Sequence, residues 1–109
     1  QPPDMIFYQG LALQALGELN AATTIFSKLV EYGHSHQDDD VEIDYFAVSL
    51  PDFLVFDVDL KQRHALHCLY MLALGYTGLG RTEEARRAYQ SILTLEPHHA
   101  GAVRHMAML

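Results

Sequence analysis

The sequence has a single cysteine, Cys68, so no disulfide can form within the chain. A chain of 109 residues without an internal staple must be held by an apolar core, and a reducing, cytoplasmic setting is the simplest expectation. Long apolar runs are also missing. None approaches the ~18 residues that a membrane span needs, so a membrane is not expected as partner. No basic segment followed by an apolar stretch opens the chain, so no signal peptide is visible. The chain starts Gln1-Pro2-Pro3-Asp4 without an initiator methionine, and Met106 to Leu109 stop inside an apolar helical pattern. Both ends suggest a piece of a longer protein. Basic residues are scarce where acids gather. Between Gln37 and Asp59 stand Asp38, Asp39, Asp40, Glu42, Asp44, Asp52, Asp57 and Asp59, with no Lys or Arg among them. The rest of the chain is near neutral. Phosphate binding needs a basic face, so nucleic acid is not an expected partner.

Catalytic and cofactor motifs are missing too. Gly75, Gly78 and Gly80 read as a helix face and a turn, not as a phosphate loop. Ser49 has no Gly-x-Ser-x-Gly setting. Asp52, Asp57 and Asp59 each find a local capping role, which leaves no carboxylate pair set up for acid-base work. Seven histidines invite a metal reading, in the groups His34-His36, His64-His67-Cys68 and His98-His99 with His105. His64 and His67 share a helix face, a geometry that ligands use. No HExxH, CxxC or carboxylate arrangement accompanies them, and Cys68 falls on the buried side as a small apolar filler. The expectation is therefore no enzyme, no cofactor and no metal.

What is present is helical periodicity. Leu66 to His99 divides into two runs broken at Gly78-Leu79-Gly80 and stopped by Pro97. Leu69, Leu72, Ala73 and Tyr76 share one face of the first run, and Ala85, Tyr89, Ile92 and Leu93 one face of the second. This pattern, large-xx-Leu-small-xx-Tyr, a turn glycine, Ala-xxx-aromatic-xx-apolar and a closing proline, resembles a tetratricopeptide repeat. Leu69 stands where that repeat often has Trp. A second copy reads from residue 3 to 36, with Pro2-Pro3-Asp4 as a helix start and a stripe of Ile6, Gly10, Leu13 and Leu16. Aligning Gly17 with Gly80 sets Gly10 on Ala73, Ala22 on Ala85, Phe26 on Tyr89 and Leu29 on Ile92. The second helix of this copy is expected to end near Gly33. Small residues at Gly10, Ala22, Ala73 and Ala85 would let paired helices cross closely.

The repeats do not follow each other directly. Residues 37–65 form an insertion, beginning with a solvated loop at Gln37-Asp38-Asp39-Asp40. Residues 41–50 (VEIDYFAVSL) read as neither clear strand nor clear helix. Ser49-Leu50-Pro51-Asp52 looks like a helix start, and Phe53, Leu54, Val55 and Phe56 are too apolar to stay in water. Asp57-Val58-Asp59 reads as a further N-cap, from which a helix extends the second repeat backwards by about six residues. Residues 100–109 resume the helical pattern, with Val103, Met106 and Ala107 inward, as a capping helix or the start of a third repeat. The expected fold is all-α: an α-α superhelix of two tetratricopeptide-like helix pairs with an inserted segment and a C-terminal capping helix.

The repeat register also names a concave groove lined by the first helix of each pair. It carries Phe7, Leu11 and Gln14, then His67, Tyr70, Leu74 and Thr77, with Arg104 from the last helix. Phe7, Leu11, Tyr70 and Leu74 are apolar for a solvated surface, so the groove takes a protein or peptide segment, or the insertion folds back and fills it. Members of the family that clamp a terminal carboxylate use Lys, Arg and Asn there, and the aromatics, Leu and His found here disfavour that ligand. A second resemblance covers residues 45–80, YFAVSLPDFLVFDVDLKQRHALHCLYMLALGYTGLG, which are similar to the C-terminal region of large bacterial multi-domain proteins. Their N-terminal part is a domain of unknown function, sometimes linked to carbohydrate-active sandwiches. Two function classes follow: a non-catalytic interaction or assembly scaffold, or a structural accessory that self-associates as a homodimer or docks on a neighbouring domain.

Overall fold

Pro2 and Pro3 open the first helix, α1 (Pro3–Ala15), with Asp4 in its first turn beside the free amides. The computed structural model describes residues 2–37 and 50–109, and residues 50–59 as helix backbone alone. Four further helices follow: α2 (Leu19–His36), α3 (Leu50–Leu79), α4 (Thr82–Leu95) and α5 (Ala100–Met106). Among the described residues there is no strand, and the fold is all-α, built from helical hairpins. Residues 41–49 and the side chains of Phe53, Leu54, Val55 and Phe56 lie outside what is described.

The two hairpins turn in the same way. After α1, Gly17 takes φ +82°, its amide bonds Gln14 O at 3.0 Å, and the Glu18 amide reaches back to Leu13 O at 2.9 Å. After α3, Gly80 takes φ +77°, with Gly80 N to Thr77 O at 3.2 Å and Arg81 N to Tyr76 O at 2.9 Å. Both are Schellman closures, in which a glycine in the left-handed region lets two amides satisfy the last carbonyls of the helix. The alignment of Gly17 with Gly80 is thus a shared backbone geometry. The turns are tighter than the sequence suggests: Gly78 is still helical, and α2 has begun by Leu19.

The core forms where α2 lies against α3 and α1, and α4 covers the far side of α3. Phe26 is its centre. Its ring lies against Gly10 of α1 and Gly78 of α3, where an added Cβ would overlap ring carbons from either side. Along the α2–α3 contact the backbones themselves come close. A Cβ on Gly33 would sit 2.9 Å from Cys68 O, and one on Gly75 would sit 2.8 Å from Phe26 O. Ala22, Leu29, Ala73, Ala85, Tyr89 and Ile92 are buried with Phe26, as the paired stripes require. Cys68 is fully buried.

Four expectations need correction. Asp57 and Asp59 do not cap a helix, because α3 runs without interruption from Leu50 to Leu79. It is 30 residues long, about 45 Å at 1.5 Å per residue. Helix α2 passes through Gly33 to His36, since at that position glycine serves close approach to α3 and not termination. Leu16 is 77% exposed because it is the C-cap of α1 and has already left the buried stripe. In α5 the inward residues are Ala102 and His105, while Val103 and Ala107 face out. Helix α5 starts one residue after His99, whose Nδ1 accepts the Ala102 amide at 3.0 Å as the N-cap.

Candidate interaction surface

Helices α1, α3 and α5 meet at one side chain, His105, which is polar yet almost fully buried. Its Nδ1 lies 2.8 Å from Gly101 O, and a carbonyl only accepts, so Nδ1 carries the proton. Tyr70 Oη lies 3.0 Å from the same nitrogen and shares that N–H as a second acceptor. Nε2 then has a free lone pair, and the Tyr8 hydroxyl donates to it at 2.8 Å. One tautomer thus satisfies three elements at once. Asp4 forms an ion pair with Arg104 at 3.2 Å. Phe7 meets the His105 ring edge-on, with centroids 5.5 Å apart. Gly101 approaches the Tyr70 ring so closely that a Cβ would overlap its hydroxyl end.

This geometry revises the residues expected to line an open groove. Phe7 and Leu74 are both 0% exposed and Tyr70 only 7%. They are core side chains, because α1 and α3 face each other there and α5 adds cover over Phe7 and Tyr70. Leu11 is half-buried against the same core. Gln14 is exposed and its amide donates to Gly78 O at 3.2 Å, tying the ends of α1 and α3. Thr77 is half-buried: its hydroxyl donates to Ala73 O and lies 2.8 Å from Tyr89 Oη. Arg104 is exposed beside Asp4. His67 does not belong with the others, since its ring stands edge-on to Tyr32 of α2. The structure therefore brings Phe7 and Tyr70 against α5, which carries Arg104, keeps Leu74 in the core and leaves His67 elsewhere. Tyr8, Asp4 and His105 are the members of this cluster that repeat register alone did not single out. A buried-side histidine in α5 is a sequence signal for it, visible once Ala102, His105 and Met106 are read as one face.

A second histidine group lies at the α2–α3 contact. His64 Nε2 donates to His36 O at 2.5 Å and approaches Cys68 Sγ at 3.7 Å, while His36 stacks on Tyr32 at 4.1 Å. Burial, and then the neighbouring His64, lower the His67 pKa below its ordinary value. Among the described residues no three His, Cys, Asp or Glu side chains are grouped so as to hold a metal ion.

Two tyrosines are displaced toward the neutral phenol. Burial, with Asp4 next in weight, pushes Tyr70 well above the ordinary tyrosine value. Burial pushes Tyr89 up to about 12, against the opposing hydrogen bond from Thr77. A raised phenol pKa means that the fold holds the proton after the unfolded chain has released it. Stability is therefore full below pH 10 and falls as pH rises toward 12. Denaturant titrations across this range are expected to show a decline of roughly 2 kcal/mol from Tyr89, one pKa unit being about 1.4 kcal/mol. Tyr89→Phe should flatten the slope, and an unchanged slope in that variant contradicts the assignment.

The two helical hairpins, α1–α2 and α3–α4, share one turn geometry. Residues 67–99 match the tetratricopeptide repeat family model. That segment is similar to a tetratricopeptide repeat, in keeping with the helical-hairpin build of the described residues. No solved structure matches the chain. A tetratricopeptide repeat suggests a protein–protein interaction scaffold. No helix among the described residues is long and apolar enough to cross a membrane.

Proposed function

We propose that this chain is a non-catalytic scaffold segment of a larger multi-domain bacterial protein, and that it binds a protein or peptide segment at the face where α1, α3 and α5 meet. The observation that carries the reading is the tetratricopeptide match over residues 67–99, with Tyr8 and Gln14 of α1 and Arg104 of α5 left exposed. An exposed tyrosine with exposed polar groups on the same elements suits an interaction surface. A second reading has its own support. Leu16 and Leu19 at the first turn, Val103 on α5 and Met108 just after it are large apolar side chains left exposed, which suits a structural accessory that docks on a neighbouring domain or on a second copy.

Site-specific photo-crosslinking separates the two. A photoreactive residue at Gln14 or Arg104 is expected to give a defined adduct with a partner polypeptide in the native host. The same residue at the exposed Arg87 of α4 is expected to give none. Adducts confined to positions 16, 19, 103 and 108, or a dimer of the chain at those positions, would establish the accessory reading instead.

A further inference from the structure

We infer that the outer face of α1 seats a further helical hairpin of the same polypeptide, lying ahead of α1 and stacked on it as α2 is stacked on α3. The inference rests on the reading of this chain as a segment of a larger protein, and it names what that protein places against the first helix.

The first observation is the composition of α1. Asp4, Gln9 and Gln14 are its only charged or amide side chains. One face, with Phe7 and Gly10, is buried in the core. The opposite face is largely apolar too, yet Met5 is 52% exposed and Tyr8 41%, and Ala12 is exposed on the same side. A helix that is apolar all round normally has neighbours all round.

The second observation is how this fold treats the equivalent face of α3. With Gly17 set on Gly80, Met5 falls on Cys68, Tyr8 on Met71, Gln9 on Leu72 and Ala12 on Gly75. All four α3 residues are buried, and α2 covers that face. Gly33 of α2 lies against Leu72 and Cys68 O, and Gly75 lies against Val30 and Phe26 O. Helix α2 therefore runs antiparallel to α3 over positions that stand open in α1. Ala12 keeps the small side chain that so close a backbone approach needs. Gln9 is the one polar member of the α1 face, where α3 has Leu72.

The occupant follows from what each source could offer. A second copy would need an open helix of the α2 kind. Its α2 already lies on α3. In α4 the residues equivalent to Phe26 and Leu29 are Tyr89 and Ile92, both 0% exposed, and α4 is packed by α3 and α5. Among the described residues a copy has no such helix left. A separate polypeptide meets a limit of area. The α1 face is a strip of roughly 20 Å by 10 Å, about 200 Å² where a stable interface takes about 800 Å² per partner. So small a strip suits a neighbour that the chain itself holds at high local concentration.

The test uses the protein as its host makes it, with a photoreactive residue in place of Ala12 and, separately, with Ala12→Cys. The expected adduct lies within one polypeptide and maps to a segment on the N-terminal side of Pro3. The Ala12→Cys thiol is expected to react with a maleimide at least ~100-fold more slowly than the thiol of Arg87→Cys on exposed α4, being reached only through local opening. Cys68 is buried and does not interfere. Equal labelling of the two thiols overturns the proposal. So does an adduct to a second copy, to a separate polypeptide or to residues 37–49. None of these outcomes alters the crosslinks of Gln14 and Arg104 to a partner, so failure at Ala12 and failure of the scaffold reading are told apart.

Discussion

Phe26→Ala is expected to unfold the chain under conditions where the wild type is stable, with a loss of about 3–5 kcal/mol in chemical denaturation. The ring is 1% exposed and is held between Gly10 and Gly78, one from each hairpin. Glycines have no side chain with which to fill the space the ring leaves. The cavity therefore cannot collapse unless α1 and α3 move together, and Gln14, which bridges to Gly78 O, would be displaced with them. A small domain commonly has only 5–15 kcal/mol of stability in total, so this single change removes a large share of it. Phe26→Leu keeps most of the volume and should cost markedly less. Equal losses in the two variants would mean that the ring is not wedged as described.

Gly75→Ala tests the opposite fault, too much volume in place of too little. The added methyl would meet Val30 Cγ2 at 2.6 Å and Phe26 O at 2.8 Å. A side chain can turn aside, but the Phe26 carbonyl belongs to α2 and cannot move without the helix. Alanine gains roughly 1 kcal/mol of helix propensity over glycine. Separating two helices along their closest contact costs about 1–3 kcal/mol or more. The net expectation is destabilisation by ~1–2 kcal/mol, deepening with Gly75→Val, read as a fall in the denaturation midpoint at unchanged slope. A neutral or stabilising Gly75→Ala would show that α2 and α3 are further apart.

Much of this was legible before any coordinates, and the reasons are physical. Positive φ requires glycine, so Gly17 and Gly80 mark both hairpin turns. Closely paired helices require small side chains facing large ones, so Ala85 and Tyr89 read correctly as core. What escaped was whatever depends on distant contacts. Aspartate caps helices, so Asp57 and Asp59 look like starts, yet an acid inside a helix has the same local chemistry and α3 simply passes through them. Repeat register makes Phe7, Tyr70 and Leu74 the lining of a groove, whereas all three are buried. It does not reveal that α5, more than 25 positions beyond Leu74, helps to cover this face. The register of α5 is not legible in the sequence, because seven residues of mostly small or polar character carry almost no periodic signal. His105 was weighed as a metal ligand when its work is to join Tyr8 and Tyr70.

The convergence of α1, α3 and α5 on one histidine is the contact that joins the last helix to the first. Nitrogen-15 NMR of the His105 ring addresses it directly. At neutral pH the account predicts a single tautomer, protonated at Nδ1 and accepting at Nε2, with cross-peaks from the ring to both Tyr8 and Tyr70. A ring that averages between tautomers, with no contact to either tyrosine, would contradict it.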